Sequence, residues 1–202
     1  MRAPNTTKAT VGGYYNDLDK MAKDACKLAG DFFEAPGVYL TLNPGKPELL
    51  ARANNRLESY VKFATADCDI TARYWLPLDF DPNRIKGISA TDAEHQAALA
   101  RAREAQGWLT AQGWSDPAIF ADSGNGAHLL YRIDLSNDAG SAQLLKRILE
   151  TLDQRFSDDV VMVDKTVYNA ARIWKIYGSI ARKGDNMCDR PHRLASIIEA
   201  SS

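Results

Sequence analysis

The sequence predicts an α+β fold: a β-α-β-β-α-β unit preceded by a smaller αβ module. Three observations carry this reading. From Tyr74 onward, short apolar runs alternate with two long stretches whose apolar residues recur at helical spacing. Turn residues stand between them, notably Pro82, Gly113 and the Gly124/Gly126 pair. The length of 202 residues fits one large domain, or one domain with a small appendage.

The elements follow in order. Residues 14–28 show helical spacing. "GVYLTLNP" from Gly37 reads as a short strand stopped by Asn43 and Pro44, and the Asn43–Pro47 stretch is a clear break. Residues 48–63 again read as a helix. These segments make an N-terminal αβ module over residues 1–66, and residues 67–202 form the main module, the two together making one core. "YWLPLDFD" is the first strand of the main unit, bounded by Pro82. Thr91 followed by Glu94 three residues later is a capping box, so "DAEHQAALARAREAQGWLTAQ" is a helix, and Gly113 suits its end. "AIFAD" is the second strand, residues 123–126 a turn, and "AHLLYRID" the third strand. "AGSAQLLKRILETLDQRF" is the second helix, with Leu144, Leu145, Ile148, Leu149 and Leu152 on one stripe. "VVMVD" is the fourth strand. "ARIWKIYGSIARKGD" and "RPHRLASII" read as further strands with a loop between them. The β-α-β-β-α-β order is that of the ferredoxin-like, or RRM-like, split βαβ unit, in which the first strand lies between the third and the fourth.

Composition excludes several classes. Hydrophobic content of 45% and charged content of 25% are ordinary for a globular chain. No apolar run is long enough to span a bilayer, and residues 1–15 lack the apolar core of a signal peptide, so the expectation is a cytoplasmic protein with no membrane partner. Cys26, Cys68 and Cys188 form neither a CxxC pair nor a disulfide framework, and read as small buried or idle thiols. Cys188 and His192 lack the second close pair that a zinc site needs, so no zinc is expected. There is no GxxxxGK[ST] string, no internal repeat and no low-complexity tract. The net charge of −1 means that any polyanion partner needs a local basic patch. Arg172, Lys175, Arg182, Lys183, Arg190 and Arg193 cluster late in the chain; a solvated face is the alternative reading.

Asp79 and Asp81 carry the chemistry. Residues i and i+2 of a strand point the same way, so two carboxylates would share a face at the cost of repulsion and desolvation. A bound cation relieves that cost; a strand that ends early, in a solvated turn before Pro82, avoids it. With the first strand beside the fourth, Asp164 at the end of "VVMVD" would meet the pair, and His128 at the start of the third strand would flank them. Strand order alone does not set the longitudinal register. Three carboxylates on adjacent strands suit the hard cations Mg²⁺ or Mn²⁺ and two-metal phosphoryl transfer. A triphosphate also needs donors. In "SGNGAH", Ser123 has a hydroxyl, Gly124 and Gly126 let backbone N–H groups approach, Asn125 lies between them, and His128 donates; Arg172 and Lys175 add charge. A glycine turn without function is the alternative for this string.

Taken together, these strings resemble the archaeo-eukaryotic primase superfamily, the primase-polymerases. The hallmark strands stand here as "PLDFDP", "DSGNGAHLLYRI" and "VVMVDKTVYNAARIWKIYGSIARKGD". The resemblance runs from about Gly37 to Ile198, and is nearest to the catalytic domains of phage, plasmid and CRISPR-associated members. It implies that Asp79, Asp81 and Asp164 bind two catalytic Mg²⁺ or Mn²⁺ ions. It implies that His128 with Ser123 binds the incoming nucleotide's phosphates, and that Arg172 and Lys175 complete the triphosphate site. Lys183, His192 and Arg193 are implied as contacts to nucleotide or template. The spacing of Ser123 and His128 is wider than the compact SxH of other branches. The implied activity is a DNA primase-polymerase using dNTPs or NTPs on a single-stranded DNA template, with accessory primase domains or a helicase outside this chain. Two rivals stand beside it. A replication-initiator nuclease needs paired histidines, and His95, His128 and His192 include no HxH or HH pair. A non-catalytic RRM-like nucleic-acid-binding module would carry aromatics where Asp79 and Asp81 stand, and Trp75, Trp108, Trp114 and Trp174 read as core residues.

Overall fold

A computed structural model describes residues 10–30 and 35–201. The first nine residues, on which much of the leader reading and the start of the N-terminal module rest, lie outside the described residues, as do residues 31–34 and 202. The N-terminal part contributes β1 (Val11–Gly12), α1 (Leu18–Ala29), β2 (Tyr39–Thr41), a 3₁₀ turn at Pro47–Arg52 and β3 (Glu58–Ser59). Then come β4 (Ala72–Pro82), α2 (Asp92–Ala111), β5 (Ile119–Asp122), β6 (Ala127–Ser136), α3 (Ala139–Phe156) and β7 (Val161–Val163). The last strands are β8 (Ile173–Lys175), β9 (Ile180–Ala181), β10 (Arg193–Leu194) and β11 (Ser196–Ala200).

The chain is α+β, built on one five-stranded antiparallel sheet of order β11-β5-β6-β4-β7. β4 lies between β6 and the edge strand β7. Its alternation decides what each face does. Leu76, Leu78 and Phe80 are almost fully buried and pack with Phe120 and Leu129 of the sheet. Against them lie Ala98, Ala102, Ala105 and Leu109 of α2, and Leu145, Leu149, Leu152 and Phe156 of α3. Burying each large apolar side chain contributes about 1.5–3 kcal/mol. The small alanines of α2 let that helix approach the sheet. The intervening β4 residues Trp75, Pro77, Asp79 and Asp81 occupy the opposite face.

The capping box is present as read: Thr91 Oγ1 accepts from the Glu94 N–H, and Glu94 Oε2 from the Thr91 N–H. α2 ends just before Gly113, whose φ of +89° suits glycine. Several expectations are corrected. The first helix starts at Leu18, not Tyr14, because Asp17 caps it by accepting from the Lys20 N–H. Residues 48–63 do not form a helix. Only Pro47–Arg52 turns, as 3₁₀, and Asn55 and Tyr60 adopt positive φ, which no helix tolerates. Leu144 lies off the buried stripe of α3 and is exposed. Cys26, Cys68 and Cys188 are all exposed, so none is a buried core thiol. The early-ending strand is also excluded, since β4 runs through both aspartates and Pro82 pairs with Val161. Among the described residues no helix is long and apolar enough to cross a membrane.

β2 belongs to the N-terminal module yet pairs with β8 of the main one. Asn43, just after β2, is buried; its Nδ2 donates to the Ala170 carbonyl and its Oδ1 accepts from the Tyr74 N–H. That single amide stitches the N-terminal segment to both the start of β4 and the loop before β8.

Two glycines give opposite expectations. A Cβ at Gly126 would lie 2.1 Å from the Phe80 carbonyl oxygen, whereas one at Gly107 in α2 would meet nothing. Gly126→Ala should therefore lower the melting temperature, and Gly107→Ala should stabilise by about 0.5–1 kcal/mol, because glycine in a helix interior is unfavourable relative to alanine. Thermal melts of the two variants check this.

Candidate active site

The site begins with register. Asp79 of β4 stands directly opposite His128 of β6. On the other side, Phe80 pairs with Val163, and the Asp164 N–H donates to the Asp79 carbonyl at 2.9 Å, continuing that register one residue past β7. His128, Asp79 and Asp164 thus form one rung, with Asp81 one step along the same face of β4. This supplies the longitudinal placement that strand order leaves open.

A cavity of about 290 Å³ opens over this rung. Asp79, Asp81, Asp164, Ser123, Asn125, His128, Arg172, Lys175 and Lys183 all line it. Gly124, Gly126, His192 and Arg193 do not. His192 lines a different depression with Arg182 and Asn186, its Nε2 2.9 Å from the Gly184 carbonyl. Arg193 is committed to the Ala90 carbonyl and the Asp92 carboxylate. Neither is part of the pocket wall.

The "SGNG" turn is more internally satisfied than a phosphate cradle would be. The Gly124 N–H donates to Asp122 Oδ1, and those of Asn125 and Gly126 donate to Ser123 Oγ. The amides expected to approach a ligand already hold partners within the turn. The glycines answer instead to close packing: at Gly124, where φ is +87°, a Cβ would press on Ala181 and the Arg193 carbonyl. Asn125 is buried and its Oδ1 accepts from the Ala90 N–H at 2.7 Å, tying the turn to the start of α2.

Electrostatics polarise the pocket. Burial pushes the Asp79 carboxyl well above the usual range; the neighbouring Asp81 and Asp164 carboxylates push it further, and Lys183 and Arg172 pull part of the way back. Asp79 finds little local relief: His128 Nε2 is 3.5 Å from its Oδ1. Asp81 has Arg84 Nη2 at 3.7 Å, from a side chain only 7% exposed whose buried Nε and Nη2 make no hydrogen bond. Asp164 Oδ1 accepts from the Thr166 N–H and hydroxyl. Arg172 Nη2 donates to the Thr166 carbonyl, and its buried Nε is unpartnered. Burial lowers the Lys175 pKa, against the pull of Asp79 and Asp81; its ammonium lies 4.8 Å over the Tyr39 ring. His128 is driven down to about 3, first by burial and then by Lys175 and Lys183, so its imidazole is neutral at pH 7.

All three carboxylates face one cavity, and an all-oxygen donor set suits Mg²⁺ or Mn²⁺. Among the described residues, however, no three His, Cys, Asp or Glu side chains are gathered into a ready-made metal cage. The fit rests on carboxylate repulsion that Lys183 and Arg172 offset only in part, and that a divalent cation would relieve. Residues that sequence reasoning missed are Tyr39, Thr166 and Tyr177. Thr166 carried a signal, two residues after an aspartate as in an Asx turn. Trp174 was read as core; it is buried, yet it also stacks on the His128 ring, the centroids 4.1 Å apart.

Comparison with known proteins adds little. No family model matches the chain, and no curated protein does. One solved structure is similar, the polymerase domain of Mycobacterium tuberculosis ligase D in complex with DNA, at 18% identity and a TM-score of 0.43. The match covers 79% of this chain and 52% of that one, so the chain spans about half the length of that neighbour. At this level the likeness assigns no activity.

The raised Asp79 pKa has a consequence for stability. The folded state keeps a proton that the unfolded chain has lost, so the cost of folding grows as pH rises past the unfolded carboxyl value of about 4. Asp79→Asn should raise the melting temperature at pH 7 in EDTA, by about 2–4 °C for each kcal/mol of repulsion removed. The gain should shrink toward zero near pH 4. Melts across that range check both the sign and the window.

Proposed function

We propose that the chain is a metal-dependent nucleotidyltransferase of the primase-polymerase type, built on an RRM-like sheet, that makes or extends a primer on single-stranded DNA. One observation carries the reading: a rung of His128, Asp79 and Asp164, with Asp81 beside it, faces Arg172, Lys175 and Lys183 across a single cavity. Carboxylates and cations lining one cavity fit a substrate whose charge is concentrated and whose reaction needs a hydroxyl activated.

In this reading, Asp79, Asp81 and Asp164 hold two divalent cations, which when bound make the attacking hydroxyl more acidic and neutralise part of the triphosphate charge. The chain's own groups do the rest. Arg172, Lys175 and Lys183 supply fixed positive charge for the triphosphate. Thr166 joins Arg172 to the Asp164 turn, accepting from Arg172 Nη2 at its carbonyl and donating its hydroxyl to Asp164 Oδ1, so cation and carboxylate are held by one residue. His128, neutral, donates one hydrogen bond to a phosphate oxygen without adding charge. The primer's 3′-hydroxyl attacks the α-phosphate and pyrophosphate leaves. The nucleotide is a dNTP or an NTP, and single-stranded DNA is the template.

The test is incorporation of labelled dNTPs or NTPs on single-stranded DNA, with and without a primer, in Mg²⁺ or Mn²⁺. Asp79→Asn with Asp81→Asn should abolish incorporation while the fold persists by melting curve; extension near the wild-type rate by that variant would sink the assignment. Arg172→Ala should lower kcat/KM for the nucleotide roughly ten- to a hundredfold, the worth of one charge-assisted hydrogen bond.

A further inference from the structure

The His128 side chain is the end of a hydrogen-bonded chain that nothing in the mechanism above uses. Trp174 Nε1 lies 3.0 Å from Tyr177 Oη, and Tyr177 Oη lies 3.1 Å from His128 Nδ1. The other imidazole nitrogen, Nε2, is 3.5 Å from Asp79 Oδ1 and faces the cavity. Tyr177 packs against the main core, and Trp174 is 4% exposed and belongs to it.

We infer that Tyr177, held by Trp174, is a positioning residue that fixes His128 in its Nε2–H tautomer, so that the proton faces the pocket and is offered to a phosphate oxygen of the nucleotide. Two geometric arguments agree. An indole N–H only donates, so Trp174 occupies a lone pair of the Tyr177 oxygen. The hydroxyl proton then has His128 Nδ1 as its acceptor, which leaves the imidazole proton on Nε2. In the opposite tautomer the Tyr177 oxygen would accept twice and its proton would have no partner among the contacts of that oxygen in the described residues. On the other side, an Nε2–H faces Asp79 Oδ1 at 3.5 Å, an oxygen that can accept whether or not that carboxyl carries a proton. Stacking of the Trp174 ring on the imidazole, at 4.1 Å and 39°, limits ring flipping as an escape.

The tautomer assignment stands on geometry; its purpose rests on the nucleotide-site reading of the pocket. The two fail separately in one experiment. A two-bond ¹H–¹⁵N correlation spectrum of the full chain at pH 7, metal-free, distinguishes protonated from unprotonated ring nitrogens. Wild type should show His128 with Nε2 protonated and Nδ1 bare. Tyr177→Phe, which keeps the ring, should shift the population toward a mixture of tautomers. The same variant should raise the dNTP KM roughly 2- to 10-fold, the worth of one neutral hydrogen bond, and change kcat less. A wild-type spectrum with Nδ1 protonated overturns the inference and needs no variant to fold. An unchanged tautomer in a folded Tyr177→Phe overturns the role of Tyr177. The expected spectra in a chain that neither binds nor incorporates any dNTP or NTP uphold the relay and overturn the nucleotide-site reading.

Discussion

The placement of everything in this molecule depends on the register of β4 between β6 and β7. The strand alternates Leu76, Leu78 and Phe80 into the core with Asp79 and Asp81 on the other face. Side-chain period in a strand is two, so a slip of one residue would put both carboxylates among the helices and three large apolar groups outside. Burial of Leu76, Leu78 and Phe80 thus holds the carboxylates where they stand. The same register sets Asp79 opposite His128 and beside Asp164. Hydrophobic packing, which has no direction of its own, becomes specific here through the pleat.

That placement has a cost. Two carboxylates on one face and a third on the next strand repel; among the described residues Arg84, at 3.7 Å from Asp81, Thr166, at Asp164, and the Lys183 and Arg172 charges relieve this only in part. A stability-optimised sheet would not carry this triad. The opposing wall is equally unspent: Lys175 is buried without a carboxylate partner within ion-pair distance among the described residues, and the Arg172 Nε is orphaned. Opposite charges face each other across a cavity without closing on one another. An ion pair kept open is costly to the apo protein and useful only when something charged enters.

Much of this was legible in the sequence, and the limits have physical causes. The β4–β7 elements, both main helices and the Thr91 capping box follow from period and cap chemistry, which are local. The DxD pair was legible as chemistry because i and i+2 share a face. The N-terminal segment was misread, since helical spacing over residues 48–63 cannot reveal that Asn55 and Tyr60 adopt positive φ. The cations were legible only as a cluster. Which of them reach the pocket depends on contacts far apart in sequence: Arg193 is drawn away by Asp92 and Ala90, Arg190 by Glu94, while Lys175 and Lys183 are left facing the aspartates. Tyr177 and Thr166 were missed because neither titrates near neutral pH nor ligates a metal in any familiar spacing.

The start of α2 explains why strings so far apart in the chain belong together. Ala90 gives its N–H to Asn125 of the "SGNG" turn and its carbonyl to Arg193. Ser89 gives its hydroxyl to the Lys183 carbonyl and receives Arg190 at its own. His95, one turn into the helix, meets Asp122, whose same oxygen accepts from the Gly124 N–H. Through these bonds one capped helix terminus holds both the turn that carries Ser123 and the loop that carries Lys183. The capping box therefore does more than begin a helix. By fixing the conformation of residues 89–95, it sets the distance between two walls of the cavity. The glycines complete the device, because at Gly124 and Gly126 only the absence of a Cβ lets the turn lie against Ala181 and the Phe80 carbonyl.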